Sequence, residues 1–197
     1  MIVTLFTNLT IPSALYGQPS WSLKKDKNGI QVFTRKSAQS SLDEFKGVAL
    51  IEATVAEIVE LFKAVEKMPQ WVPDCKSSEL LVLAQYYQVH YTVTSAPWPL
   101  KDRDAYVQYH YYQTDGNGVK VVFQGLPDYE PEVPDYIRVP TIDGHWLLTP
   151  KSKTTTEVTY QVHAEPGGAI PHWLANTAAV DTPFDTLKNL RDFLERN

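Results

Sequence analysis

Three kinds of residue in this chain have the chemistry to act on a substrate: a carboxylate pair flanking an arginine, five histidines and a lone cysteine. Asp102-Arg103-Asp104 stands where a strand begins, and side chains alternate along a strand, so the two carboxylates share one face with Arg103 opposite. Paired carboxylates raise each other's pKa and suit acid/base work. The competing and preferred reading is that Arg103 and Asp104 pin the start of the strand by hydrogen bonds to neighbouring loops. His90, His110, His145, His163 and His172 show neither the H-x-x-x-H nor the H-E-x-x-H spacing of a zinc site. His90 and His110 alternate with Tyr91, Tyr109 and Tyr111, which puts both histidines on the outer face if the tyrosines point inward. Cys75 is the only cysteine, so no internal disulfide and no thiolate cluster can form, and it has no basic neighbour in sequence to activate it. A G-x-S-x-G elbow and a phosphate-cradling glycine loop are both missing. Neither catalytic residues, nor a metal, nor a cofactor are expected.

The residues that do repeat with purpose are apolar and tyrosine. Val89/Tyr91/Val93, Val107/Tyr109/Tyr111 and Val158/Tyr160/Val162 each alternate with other residues, so each set forms one covered face of a strand. A packed core favours fewer polar-tipped rings than this, and a buried Tyr hydroxyl needs a partner that water or a ligand headgroup in a cavity can supply. These nine residues are therefore candidate walls of a cavity. The alternative is that the tyrosines sit at sheet edges with their tips in solvent.

The elements that would hold those faces are legible. Trp21 to Lys25, Asn28-Gly29 and Ile30 to Arg35 read as a hairpin, because Asn-Gly is the strongest two-residue turn signal. Phe45 to Ala53 continues as a strand. Thr54 and Glu57 form a capping box for a helix carrying Val55, Ile58, Val59, Phe62 and Val65 on one face and ending at Pro69, with Trp71 to Asp74 as a connector. Strands follow at Lys76 to Ala84, Tyr86 to Thr94, Ala105 to Thr114, Val119 to Gln124, Ile137 to Leu148 and Thr155 to Ala164. The last element is a long helix opened by Pro171, whose missing N–H costs nothing in a first turn. Its apolar stripe runs from Ile170 through Trp173, Leu174, Thr177, Ala178, Phe184, Leu187 and Leu190 to Leu194. That stripe needs a cover, and all that precedes it is mainly strand, so the helix lies across a sheet and Trp173, Thr177 and Phe184 join the cavity candidates. An antiparallel sheet of about seven strands with one inserted helix and one terminal helix is an α+β fold.

Composition narrows the partners. With 23 acidic and 18 basic side chains the net charge is −5, which argues against nucleic acid and against strong attraction to anionic lipid. At 197 residues without a repeat, one domain over residues 21–197 is expected. Within the leading segment, residues 1–20, positions 1–17 are apolar and uncharged, like the core of an export signal, but lack a basic start and are interrupted by Asn8, Thr10 and Pro12. A truncated signal and a short folded arm both fit. The first would make the chain periplasmic or secreted, the second cytoplasmic.

Several motifs occur in one order: Trp98-Pro99 before Asp102-Arg103-Asp104, Ile137-Arg138-Val139, Gly144-His145-Trp146, Thr156 to Tyr160, and Gly168 to Leu174 opening the terminal helix. Together they resemble the START lipid-transfer domain, a branch of the helix-grip superfamily that also holds polyketide cyclases. The resemblance implies a curved antiparallel sheet gripping the C-terminal helix around a tunnel for one lipid or other apolar molecule, with transient membrane contact during transfer. The superfamily's cyclases and aromatases supply a rival, enzymatic reading. Cholesterol-binding members carry an acidic and basic pair on the inward strand faces beside the Asp-Arg-Asp motif. Here Tyr91 and Tyr109 are expected in those places, which counts against a sterol.

Two segments read as moving parts. Leu126 to Tyr136 holds three prolines and four acids, too stiff and polar for a core. In START domains this loop borders the tunnel mouth, so Tyr129 and Pro131 are lid candidates, with a passive connection as the alternative. Pro183 lies within the terminal helix and costs it a hydrogen bond. It either bends the helix to follow the sheet or, with the Gly167-Gly168 pair, forms a hinge.

Overall fold

The computed structural model describes residues 20–37, 40–170 and 172–196, with the side chains of 172–177 excepted. The signal-like segment, save Ser20, thus lies outside the described residues, as do the side chains of Trp173 and Thr177.

The first hairpin joins β1 (Ser22–Lys27) to β2 (Ile30–Lys36), and Asn28 and Gly29 take φ of 53° and 71°, the left-handed pair that a two-residue type I′ turn demands. β3 (Asp43–Ile51) pairs with β2 and leads to α1 (Val55–Lys63). The capping box at α1 forms as the sequence implies: Glu57 N–H donates to Thr54 Oγ1 at 3.2 Å, and Thr54 N–H donates to Glu57 Oε2 at 2.7 Å. The helix does not reach Pro69. It stops at Lys63, and a 3₁₀ segment, Val65–Gln70, takes over with Pro69 inside it. The cause is local: Val65 is buried and its carbonyl accepts from the Ser78 hydroxyl at 2.6 Å, which pulls the chain out of α-helical path onto the next strand.

That strand is β4 (Cys75–Leu83), followed by β5 (Tyr87–Thr94), β6 (Arg103–Gln113), β7 (Val119–Gly125), the two-residue β8 (Ile137–Arg138), β9 (Thr141–Pro150) and β10 (Thr156–Glu165). The sheet runs β1-β2-β3-β10-β9-β7-β6-β5-β4, antiparallel throughout, with β8 added parallel to β6. Ten strands replace the seven or so expected, because the N-terminal hairpin joins the same sheet through β3 and β10 and Pro140 divides Ile137 to Leu148 in two.

α2 (His172–Leu194) packs on β2 and β3. Phe184, Leu187 and Leu190 are buried beneath it, while Ala178 is exposed. The close approach depends on Gly47 of β3: a Cβ there would fall 2.5 Å from Leu187 Cδ1 and 3.6 Å from Pro183 Cβ. Helix and sheet therefore meet backbone to side chain at this crossing. Pro183 is buried in it, which anchors that part of α2 to β3.

Candidate functional site

Between the sheet and its helices lies a cavity of about 130 Å³. Its walls come from nearly every element of the fold. β5 contributes His90, Thr92 and Thr94; β6 contributes Val107 and Tyr109; Phe123, Ile142, Trp146 and Tyr160 come from β7, β9 and β10. The far side is Phe62 of α1 with Met68, Trp71 and Val72 of the segment behind it, then Cys75 at the start of β4 and Thr186 of α2. Among the described residues no Asp, Glu, Lys or Arg lines it.

The aromatic walls are stacked into a frame. Trp146 and Tyr160 lie 3.8 Å apart at 13°, Phe62 stacks on Trp71 at 5.7 Å, and Phe62 closes on Trp146 at 4.9 Å. On the opposite wall the His90 imidazole stacks on Tyr109 at 4.4 Å, and Tyr109 touches Phe123 at 5.6 Å. Burial pushes the Tyr109 and Tyr160 hydroxyls up, so both stay protonated and able to donate. Burial lowers the His90 pKa to about 4, so its ring is neutral near pH 7.

The His90 shift has a stability consequence of fixed sign. An unfolded chain takes up this proton near pH 6.5 and the folded one only near pH 4, so between those values the unfolded state binds more protons. Stability therefore falls as the pH drops through that window, by about 3 kcal/mol at 1.36 kcal/mol per unit. His145 moves in the same direction, through burial and then Lys120. Urea melts at pH 7 and pH 4.5 should show His90→Phe losing less stability than the parent on acidification. Equal losses would mean that His90 is not held neutral by its site.

The structure brings together some of the residues singled out above and separates others. Val107, Tyr109 and Tyr160 line the cavity, and Val158 and Val162 are buried in the core on the same face of β10. Phe184 is in that core too, with Lys25 Nζ 3.9 Å above its ring. Tyr111 faces inward beyond the cavity and donates to Gln88 Oε1 at 3.0 Å. Val89, Tyr91 and Val93 are on the opposite face. The register pairs Gln88 with Tyr109, His90 with Val107 and Thr92 with Ala105, so β5 turns its polar residues to the cavity and its apolar ones outward. Alternation misleads here because both faces of β5 are covered: Val89 and Val93 are 3% and 4% exposed on one side, His90 1% on the other. On the outer face, Tyr91 no longer counts against a sterol. His90, expected outside, is the cavity's most deeply buried polar residue, whereas His110 is on the outer face, stacked against Tyr87 and Tyr112.

The lid candidates sit away from the cavity. Tyr129 stacks at 5.1 Å on Tyr106, which points to the outer face beside Tyr91 and Asp104. Arg138 ties the loop down: its Nη1 donates to the carbonyls of Pro127 at 2.7 Å and Glu130 at 2.9 Å, and Nη2 to that of Pro131 at 3.3 Å. The same guanidinium forms a two-pronged pair with Asp104, Nε to Oδ1 at 3.1 Å and Nη2 to Oδ2 at 2.9 Å, with both side chains no more than 3% exposed. The Tyr91 hydroxyl donates to Asp104 Oδ2 at 3.4 Å, and burial followed by the Asp104 charge pushes Tyr91 up to about 12. Arg103 faces the other way, donating to Lys101 O at 2.5 Å and, at 3.4 Å each, to the carbonyls of Pro166 and Gly167. It thereby fixes the approach to α2, where Gly167 and Gly168 take φ of 70° and 67°. Arg138 is in the Ile137-Arg138-Val139 motif, but its pairing with Asp104 was not read there, although a lone Arg between Ile137 and Val139 in a strand is a signal for a buried, paired cation. Trp71, read as part of a connector, is a cavity wall.

Among the described residues no group of three or more His, Cys, Asp or Glu is arranged to hold a metal ion, and no helix is long and apolar enough to cross a membrane.

Comparison with known proteins adds the family. The START domain family's sequence model matches residues 8–197. An uncharacterised protein of Pseudomonas aeruginosa is 38% identical over 176 residues, covering 89% of this chain and 87% of its own. The phosphatidylcholine transfer protein of Bos taurus is 26% identical over 183 residues, covering 87% and 82%. Among solved structures, a STAR-related lipid transfer protein fragment from Xanthomonas axonopodis superposes with a TM-score of 0.84 at 40% identity, over 89% of this chain and 98% of that one. Human StAR-related lipid transfer protein 5 shares the fold with a TM-score of 0.78 at 17% identity, over 89% and 86%. A curved antiparallel sheet closed by a C-terminal helix, a match running to the last residue and relatives at 38% and 40% identity lead to one assignment: the chain belongs to the START domain family.

Proposed function

We propose that this chain binds one lipid molecule in the cavity between its sheet and its helices, shielding it from water for transfer between membranes or for storage. The observation that carries the reading is the cavity itself, lined mainly by aromatic and aliphatic side chains and free of charged ones among the described residues. Burial of an acyl chain there is favourable at roughly 25 cal/mol per Å². Membership of the START family and the lipid transfer proteins among its relatives support the same reading.

At about 130 Å³ the cavity is smaller than the ~300–1,000 Å³ of ordinary ligand pockets, so its cover must move to admit a lipid. α2 beyond Pro183 is held on β3 at Gly47, and the chain before it turns at Gly167 and Gly168. Those two places bound the segment that would lift, during a transient contact with the membrane. The test is extraction of a fluorescent diacyl lipid from vesicles by the purified protein. Saturable transfer into solution is expected, whereas complete retention by the vesicles would count against the reading.

A further inference from the structure

Next to the internal cavity, on the same inner faces of the fold, lies a second space: a surface groove of about 420 Å³. The same elements line both. β5 passes from His90 in the cavity to Gln88 in the groove, β6 from Tyr109 to Tyr111 and β7 from Phe123 to Val119, each step staying on one face of its strand. α1 sets Phe62 on the cavity, and Val59 and Lys63, neighbours on one helix face, on the groove. The groove therefore continues the cavity toward solvent.

What separates the two is a waist of side chains in direct contact. Gln88 is 3% exposed; its Oε1 accepts from the Tyr111 hydroxyl at 3.0 Å and lies 3.4 Å from His90 Nε2, and its Nε2 donates to the Lys63 carbonyl at 3.5 Å. Only the first of these is a short hydrogen bond, so a rotation of Tyr111 breaks little as it opens the waist. The two spaces also differ in charge. Among the described residues the cavity wall has no ionised side chain, whereas the groove wall has Lys63 and no carboxylate. Lys63 Nζ lies 5.9 Å from the Tyr111 ring centroid and holds Glu60 at 3.1 Å, in an exposed pair that water screens.

Resting on the lipid-binding reading above, we infer that the lipid lies across this waist, with its acyl chain in the cavity and an anionic head, carboxylate or phosphate, in the groove beside Lys63. Each end then meets the surroundings its chemistry requires. An ionised head buried in the charge-free cavity loses its hydration and finds no countercharge, whereas in the groove it keeps water and gains an ammonium. The acyl chain is the part whose burial the cavity favours. Size points the same way: the cavity alone falls below the ~300–1,000 Å³ of ordinary ligand pockets, and cavity and groove together fall within that range. The chain enters tail first past Tyr111, and movement of α2 widens the cavity around it.

The experiment is photocrosslinking of the full chain, with the labelled residues mapped by mass spectrometry. Two palmitate probes carry a diazirine, one beside the carboxylate and one at the methyl end; two palmitoyl lysophosphatidylglycerols carry it on the glycerol head or at the methyl end. Head-end probes are expected to label the groove at Leu83, Tyr86 or Tyr112, and methyl-end probes the cavity wall at Ile142, Trp146 or Tyr160. Whichever pair labels in this pattern identifies the source of the anion, a free fatty acid or a phospholipid. In Lys63→Met the preference for palmitate over hexadecanol, taken as the ratio of their dissociation constants, should fall at least threefold. Labels from both ends confined to the cavity, or found in the reverse order, overturn the inference and leave the lipid-binding reading standing, as does an unchanged palmitate preference in Lys63→Met. Labels from both ends confined to the groove, or no labelling and no saturable uptake of any probe, overturn the inference together with that reading.

Discussion

Replacing Arg138 by Met is expected to cost roughly 3–5 kcal/mol, a larger stability loss than His90→Phe or Thr92→Phe should cause at pH 7. The reason lies in what the change leaves behind. Asp104 is 1% exposed and is tied by two hydrogen bonds to the Arg138 guanidinium; without the guanidinium a carboxylate remains buried, hydrogen-bonded among the described residues' side chains to the Tyr91 hydroxyl alone. The same guanidinium holds the carbonyls of Pro127, Glu130 and Pro131, so the loop loses its anchor as well. The double variant Asp104→Leu/Arg138→Met should recover much of the loss, because it removes the stranded charge along with its partner. Urea denaturation of the parent, both single variants and the double variant measures this. A loss below 1 kcal/mol in Arg138→Met would show that the pair is not a buried, coupled unit.

Thr92→Phe should have the largest effect on ligand binding. Thr92 is 8% exposed and faces the cavity from the middle of β5, between His90 and Thr94. Phenyl at this position keeps a good strand former on the ladder while projecting into a space of about 130 Å³. Saturable lipid uptake is expected to fall at least tenfold. The thermal midpoint should shift by only a few degrees, since the ring fills existing volume rather than displacing packed atoms. Uptake equal to that of the parent would place the lipid elsewhere on the molecule.

What could be read from the sequence, and what could not, divides along physical lines. Local backbone chemistry was legible: Asn28-Gly29 forms the left-handed turn its side chains favour, and the Thr54/Glu57 capping box closes as spaced. The faces of β6 and β10 were legible because each carries its apolar residues toward one core. β5 was not, because Val89, Tyr91 and Val93 pack on the outer side while His90 and Thr92 serve the cavity. Periodicity reports where the apolar residues are, and in a strand covered twice that is not where the ligand space is. Long-range polar pairing was equally hidden: nothing near Asp104 in sequence points to Arg138, 34 residues on. That partner ties down the proline-rich loop, which lies on the outer face with Tyr129 on Tyr106.

The central claim is that one lipid occupies the internal cavity of each chain, and native mass spectrometry of the gently purified protein tests it most directly. After incubation with vesicles containing phospholipids, diacylglycerols, fatty acids, fatty alcohols and sterols, the spectrum should gain a single increment of one lipid mass per chain. Organic extraction should remove the increment, and Thr92→Phe should fail to acquire it. A spectrum showing only the bare chain across the whole panel, or the same increment on Thr92→Phe, would contradict the account.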